Sequence, residues 1–382
     1  MVEINRRKIG IVFAEDESWA GGFYYLINII KALTYLEDNK KPHIFIFLAH
    51  YKYQNQVSEI GYPYQTFVPL FPPVGYLKHF INRVTNKLFN TSIFKPLVYP
   101  AHYVDFVYPI NYYSDFQSLN ALKKIFWIPD FQHLHLPHNF SQETLDFRTD
   151  RIASIVSKNH DLVLSSNDAK NDFVKAHPNA KNKVWVLNFP SILPTVTKEE
   201  ISLAISKFDL PNSYFLCCNQ FWKHKNHIIV LEAIKILKEK GIWVFVVFTG
   251  NMKDFCEVVY VDRLERFVQE NNLSENVKFL GFISRLDQLA LIKGSKSVIQ
   301  PSLFEGWSTI VEDCKALNHP LIISSLRVHI EQIKENALFF DPNSPNDLAD
   351  KLYHLDSQDE TSNQSEYVQN IKSFAEAIIK IN

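Results

Sequence analysis

Cysteine is scarce in this chain of 382 residues, and Cys217, Cys218, Cys256 and Cys314 have no metal-type spacing. Adjacent or mid-helix positions also make poor disulfide partners, so a reducing compartment is expected. Charge of one sign is not in excess. The 40 basic and 41 acidic residues leave a formal charge of −1, which argues against a nucleic-acid binder held by phosphate neutralisation. No stretch reaches the roughly 18 apolar residues of a membrane span. The opening MVEINRRK passes straight into a strand pattern without an apolar signal region. Together these absences lead us to expect a cytoplasmic protein, in solution or at the inner face of a membrane. One local absence also stands out: no acidic residue lies between Glu59 and Asp105.

The length exceeds one ordinary core, so two domains are expected, and 46% apolar content is enough to pack both. KIGIVF at 8–13 reads as a buried strand, Gly21 and Gly22 as a turn, and FYYLINIIKALTYL as a helix. HIFIFL then completes a βαβ start. YVDFVYPI, KKIFWIPD, DLVLSSN and KVWVLNF continue as strands, with a helix over 141–158 opened by Ser141 and another at NDAKNDFVKAH. This gives a first α/β domain over 1–189, followed by a proline-rich connection over 190–212. SYFLCC, IWVFVVFTG, NVKFLGF, SVIQPS, PLIISS and ALFFD restart the alternation and give a second domain over 213–360. A final helix falls within 361–382 and is expected to pack back on the first domain. Two doubly wound parallel sheets facing a central cleft are the expected architecture.

Residues 61–104 are irregular in pattern. Within them YLKHFINRVTNKLF places Leu77, Phe80, Ile81, Val84 and Leu88 on one stripe, with Lys78, Arg83 and Lys87 off it. Over 76–89 this reads either as a helix packed on its own domain or as a peripheral contact with anionic membrane.

Chemistry is expected at the carboxyl ends of strands. PSLFEGWSTIVED at 301–313 joins a buried run to a helix. Thr309 and Glu312 match a capping box that would start the helix at Ile310. The free amides of residues 307–310, beside the unhindered Gly306, suit a phosphate group, and Glu305 would face whatever the phosphate carries. NQFWKHKNH at 219–227 brings Lys225 to a helix start, where a lysine pairs with phosphate. Gly281 and Phe282 end a third strand and would let a flat base lie against backbone. Gly21 and Gly22 serve either close ligand approach or turn geometry alone. Asp130 and His133, at the start of DFQHLHLPH, suit acid–base work or hydroxyl binding. With His135 and His138 they lack a fourth ligand at standard spacing, so no metal is expected.

These stretches, together with VKFLGFISR and WIPDFQHLHLP, stand in family order across nearly all of the chain. They resemble glycosyltransferase family 4, retaining enzymes of the GT-B fold that use nucleotide-diphosphate sugars. The resemblance implies an N-terminal acceptor side and a C-terminal donor side. It also implies two acids eight residues apart, Glu305 beside the transferred sugar and Asp313 on the ribose hydroxyls. Lys225 matches the family's phosphate lysine, whereas Gln220 stands where an arginine is usual, so that charge is either missing or supplied elsewhere, by Lys223 or Arg285. Glu312 is left to the helix cap. The implied reaction is metal-independent transfer of a hexose, as in a mannosyltransferase, from a GDP- or UDP-sugar without a further cofactor. The acceptor would be a glycan or a lipid-linked glycan in cell-surface polysaccharide synthesis. Two other readings fit the same cleft: a sugar-nucleotide epimerase or hydrolase, and a non-catalytic nucleotide-sugar binder.

Overall fold

Strands buried on both faces need continuous apolar runs, and β1 (Lys8–Phe13) shows why. Ile9, Ile11 and Phe13 enter one core layer while Val12 enters the layer on the opposite face. The computed structural model describes residues 5–14, 19–70, 81, 84–85, 104–111, 119, 123–252, 258–355 and 364–381. The basic stretch expected to pack or to touch membrane, 76–89, lies outside them apart from 81, 84 and 85.

β1 is joined by β2 (His43–Leu48), β3 (Gln65–Pro69), β4 (Phe106–Asn111), β5 (Lys124–Ile128), β6 (Asp161–Leu164) and β7 (Val184–Val186). All pair in parallel, in the order β3-β2-β1-β4-β5-β6-β7. The second sheet contains β8 (Phe215–Cys218), β9 (Val246–Thr249), β10 (Val277–Gly281), β11 (Ser297–Gln300), β12 (Leu321–Ser324) and β13 (Ala337–Phe340). Its order is β10-β9-β8-β11-β12-β13, again all parallel. Two doubly wound domains are therefore present. The strand order reverses between β1 and β4 in one sheet and between β8 and β11 in the other, and such reversals open crevices at the carboxyl ends.

The edge strand β3 falls in the stretch whose pattern looked irregular, because an edge needs burial on fewer sides and shows no clean apolar period. Cys217 and Cys218 point to opposite core layers, and burial raises both thiols, Cys217 to about 12. They are packing residues with no thiolate to offer.

Within 190–212, Thr197 and Glu200 form a capping box that starts the helix Lys198–Lys207. Ile192 packs on the first core and Ala204 and Leu210 bury in the second beside Tyr214 and Leu289, so the interval passes from one domain to the other with its helix on the second. The last helix, Gln364–Lys380, returns to the first domain. Tyr367, Ile371, Phe374 and Ile378, spaced three to four apart, bury with Ile9, Tyr25 and Phe106. Among the described residues no helix is long and apolar enough to cross a membrane.

Candidate functional site

The turn after β11 is built by hydroxyls and amides. Ser308 caps the helix Thr309–Ala316 by accepting from Val311 N–H at 3.5 Å. The expected Thr309/Glu312 capping box is therefore corrected, and the helix begins at Thr309. With the cap one residue earlier, Glu312 sits too far along to reach back. Its carboxylate instead accepts from Lys315 at 2.7 Å, Gln332 at 3.0 Å and Tyr367 at 3.0 Å. Gln332 Oε1 also takes the Ser308 N–H, at 3.1 Å. Among the described residues this leaves the amides of Trp307, Thr309 and Ile310 without partners, three of the four expected.

Glu305 lies in the middle of this turn, nearly buried, with three donors on one oxygen. Its Oε1 accepts from Lys225 Nζ at 2.6 Å, Ser302 Oγ at 2.7 Å and Gln300 Nε2 at 2.8 Å. No partner among the described residues reaches Oε2. Burial is the largest single influence and would raise this carboxyl, but the charge and hydrogen bond of Lys225 together with the neighbouring His329 and His224 outweigh it and hold the group below the usual glutamate range. Glu305 is thus anionic, fixed on one side and open on the other.

Lys225 is delivered by the loop after β8. Asn226 adopts a left-handed conformation, φ 57°, before the helix His227–Glu239, and its side-chain amide donates to Pro301 O at 3.2 Å and Pro342 O at 2.9 Å. That pins Lys225 against the Glu305 turn. His224 beside it is pushed down to about 3 by burial and by Lys225, so it stays neutral. Gln220 lends its side-chain oxygen to Asn251 N–H at 2.9 Å, and Lys223 is exposed.

At the start of the helix Arg285–Gly294, Arg285 donates to both oxygens of Asp313, at 2.6 and 2.7 Å. Asp313 is fully buried, so its carboxylate does not reach open space and Arg285 stands in front of it. Phe282 points to solvent, and a Cβ on Gly281 would meet nothing within 4 Å.

The first domain supplies the facing wall. Trp19 stacks on Trp127 at 5.6 Å, and Trp127 on Tyr25 at 4.1 Å. A Cβ on Gly22 would lie 2.4 Å from the Trp19 ring, so this glycine makes room for the indole. Gly306 does the same between domains: a Cβ there would lie 2.3 Å from Pro129 O. Trp307 Nε1 ties the same seam by donating to Phe189 O at 3.0 Å. Asp130 faces the cleft and accepts from Gln132 N–H at 2.9 Å, with Arg148 at 3.5 Å. His133 is buried behind it, and burial together with Arg148 lowers its pKa. His135 pairs with Asp172 at 2.7 Å, while His138 is exposed. Among the described residues no group of His, Cys, Asp and Glu is arranged to hold a metal.

One cleft of about 250 Å³ between the domains gathers most of these groups. Asp130, Gly21, Gln220, Lys225 and Glu305 line it, as do Gly306, Trp307, Ser308, Thr309 and Ile310. Gly22, His133, Gly281, Phe282 and Asp313 are outside its lining. Trp19, Trp127, Tyr24 and Arg285 line it too, without having been assigned a place there from sequence. From sequence Arg285 enters only as a stand-in for the missing arginine; Ser284, which caps its helix, is the local signal that could have placed it at a strand end. The arrangement offers a fixed carboxylate, two cations and free amides beside an aromatic wall. It suits an anion carrying a polar ring.

The second domain bears a further mark. Residues 198–376, just under half of the chain, match the family model of glycosyl transferases group 1. The O-antigen chain mannosyltransferase RfbU of Salmonella typhimurium is 25% identical over 256 residues, 67% of this chain and 62% of that protein, so the chain spans less than two thirds of that relative. Among solved structures, a glycosyltransferase from Rickettsia africae superposes with a TM-score of 0.66 at 15% identity, over 98% of this chain and 96% of that one. Anabaena HepE in complex with UDP and glucose gives the same TM-score and identity, over 98% of both chains. The fold of the whole chain is thus the GT-B fold of these glycosyltransferases, and its second domain matches group 1 among them.

Proposed function

We propose that this protein is a retaining glycosyltransferase that moves a hexose from a nucleoside-diphosphate sugar to a glycan or lipid-linked glycan. The observation that carries the reading is Glu305, saturated on Oε1 by Lys225, Ser302 and Gln300 and open on Oε2, beside three free amides. A departing nucleoside diphosphate builds charge on its phosphate oxygen. Lys225 and the amides of Trp307, Thr309 and Ile310 are fixed donors for that charge, so the reading includes no metal ion. The sugar becomes oxocarbenium-like as the bond from its C1 to the phosphate oxygen breaks, and the open oxygen of Glu305 holds its hydroxyls. The acceptor oxygen bonds C1 on the same face, and its proton leaves with the diphosphate. Asp130, with His133 behind it, serves the hydroxyl side from the first domain. Asp313 acts through Arg285.

The relatives support the donor class. HepE is held with UDP and glucose, and RfbU is named an O-antigen chain mannosyltransferase. Both fit a hexose donor, and the O-antigen chain of RfbU's name fits cell-surface polysaccharide synthesis. The reading is tested by a thermal-shift panel of UDP- and GDP-hexoses, in which the true donor raises the melting temperature by mass action. Turnover of that donor is then followed with and without acceptor glycans. Transfer that requires an acceptor supports the proposal. Nucleotide release or isomerisation without acceptor would make the protein a hydrolase or epimerase, and binding without any turnover would make it a binder.

A further inference from the structure

The cleft has one cation more than its catalytic turn uses. Gln220 is neutral and occupied by Asn251. Arg285, on a different strand end, lines the same cleft as Lys225. Its guanidinium spends the end of its fork on Asp313, Nη1 to Oδ2 at 2.7 Å and Nη2 to Oδ1 at 2.6 Å. The other Nη1 hydrogen goes to Gln288 Oε1 at 2.9 Å. A guanidinium has five N–H donors in fixed directions. Two remain, Nε–H and the second Nη2 hydrogen, side by side along one edge, and neither has a partner among the described residues. The ring of Tyr24, 4.8 Å from the guanidinium carbon, holds the plane in place from the first domain.

We infer that Arg285 is the second cation of the diphosphate site, replacing the one absent at Gln220, with Asp313 as the residue that aims it. This rests on the nucleoside-diphosphate reading above. A buried ion pair adds little stability over apolar residues of the same volume, so stability alone is a weak reason to bury Asp313. Aiming is a better one. A carboxylate clamped on the end of the fork fixes the remaining edge, and two parallel N–H donors match two phosphate oxygens. Lys225 then meets the diphosphate as a point charge from the β8 loop and Arg285 as a fork from the β10 loop. Asp313 therefore acts on the donor through the arginine rather than by touching the ribose.

The test compares affinities of the full chain for UDP and uridine, and for GDP and guanosine, by calorimetric titration. Wild type should prefer one diphosphate strongly over its nucleoside. Arg285→Gln should weaken that diphosphate at least tenfold and leave nucleoside affinity within about twofold. Adding Gln220→Arg to the same variant should restore most of the loss. Because Arg285→Gln alone leaves Asp313 without its partner, the double variant Arg285→Gln/Asp313→Asn, which buries no charge, is measured beside it and should show the same selective loss. Equal loss for diphosphate and nucleoside, or full diphosphate affinity in the double variant, would overturn the inference while the donor reading stands. Wild type that binds neither UDP nor GDP would overturn both.

Discussion

Two domains with the same core strand order bury different things. The first presents rings to the cleft, Trp19, Tyr24 and Trp127, and among its described residues buries one histidine and one acid, His133 and Asp172. The second, between β8 and the helix Arg327–Gln332, buries Glu312, Asp313, His227, His319 and His329, and nearly buries Glu305 and Lys225. Equal folds thus carry unequal electrostatics. A doubly wound sheet provides a crevice wherever its strand order reverses, and which crevice becomes chemical depends on where ionisable groups are taken out of water. Here the second domain bears that cost and the first offers shape.

The largest expected consequence is acid instability greater in the second domain, whose histidines are pushed furthest down, than in the first, where burial also lowers His133. Burial pushes His227 and His319 down to about 3 and His329 to about 4, from an ordinary 6.5. The unfolded chain therefore binds protons that the folded one refuses. Stability is complete above 6.5 and falls as pH drops towards the folded values, by about 1.4 kcal/mol per pH unit for each such histidine. Glu305 adds to this only at lower pH, because Lys225 holds its pKa below the usual range and that pair is lost as pH falls through it. Pulse proteolysis at pH 7 and pH 5, with cleavage sites mapped, should show the second domain opening first. First-domain sites opening together with it would break the contrast.

Next in size is the effect of Glu305→Gln, which keeps shape and removes charge. Transfer should fall by about 10²- to 10³-fold, the range seen when one fixed electrostatic contact to a transition state is lost. Affinity for the nucleotide should change little. The matching change on the other wall, Trp19→Phe, should alter the Michaelis constant for acceptor more than turnover. Initial rates against donor and acceptor separate these outcomes, and an equal fall in turnover from both variants would place chemistry on both walls.

Much of this was legible in the residues. β1 and β2 follow their apolar runs residue for residue, and the turn at Glu305 and the lysine at 225 meet as their strand-end positions imply. What escaped depends on distance in space. Gln332 lies 24 residues from the Ser308 amide it occupies, and no local pattern announces it. Asp313 reads as an acid at the right spacing, yet its direction is fixed by Arg285, 28 residues earlier. Gly306 reads as room for a phosphate, whereas the nearest atom to its missing Cβ is a carbonyl of the other domain. Spacing identifies which residues a loop carries. Packing across the cleft decides which way each one faces.

The smallest expected effect concerns the seam itself. Glu331, in the second domain, accepts from Asn167 N–H at 2.8 Å and Asp168 N–H at 3.0 Å, the first turn of the helix Asn167–Ala176 in the first domain. A carboxylate at that end meets free amides and the positive pole of the helix. It is held by a domain other than the one it caps, so it links closure of the cleft to order in that helix. Glu331→Ala should cost about 1 kcal/mol, the usual worth of such a cap. The loss should appear as faster amide exchange over 167–170, with exchange in the helix His227–Glu239 unchanged. If exchange rose equally in both helices, Glu331 would be supporting the second domain's own packing, and the seam would owe its hold to its other contacts, among them Trp307 on Phe189, Arg327 on Asp168 and Arg285 on Tyr24.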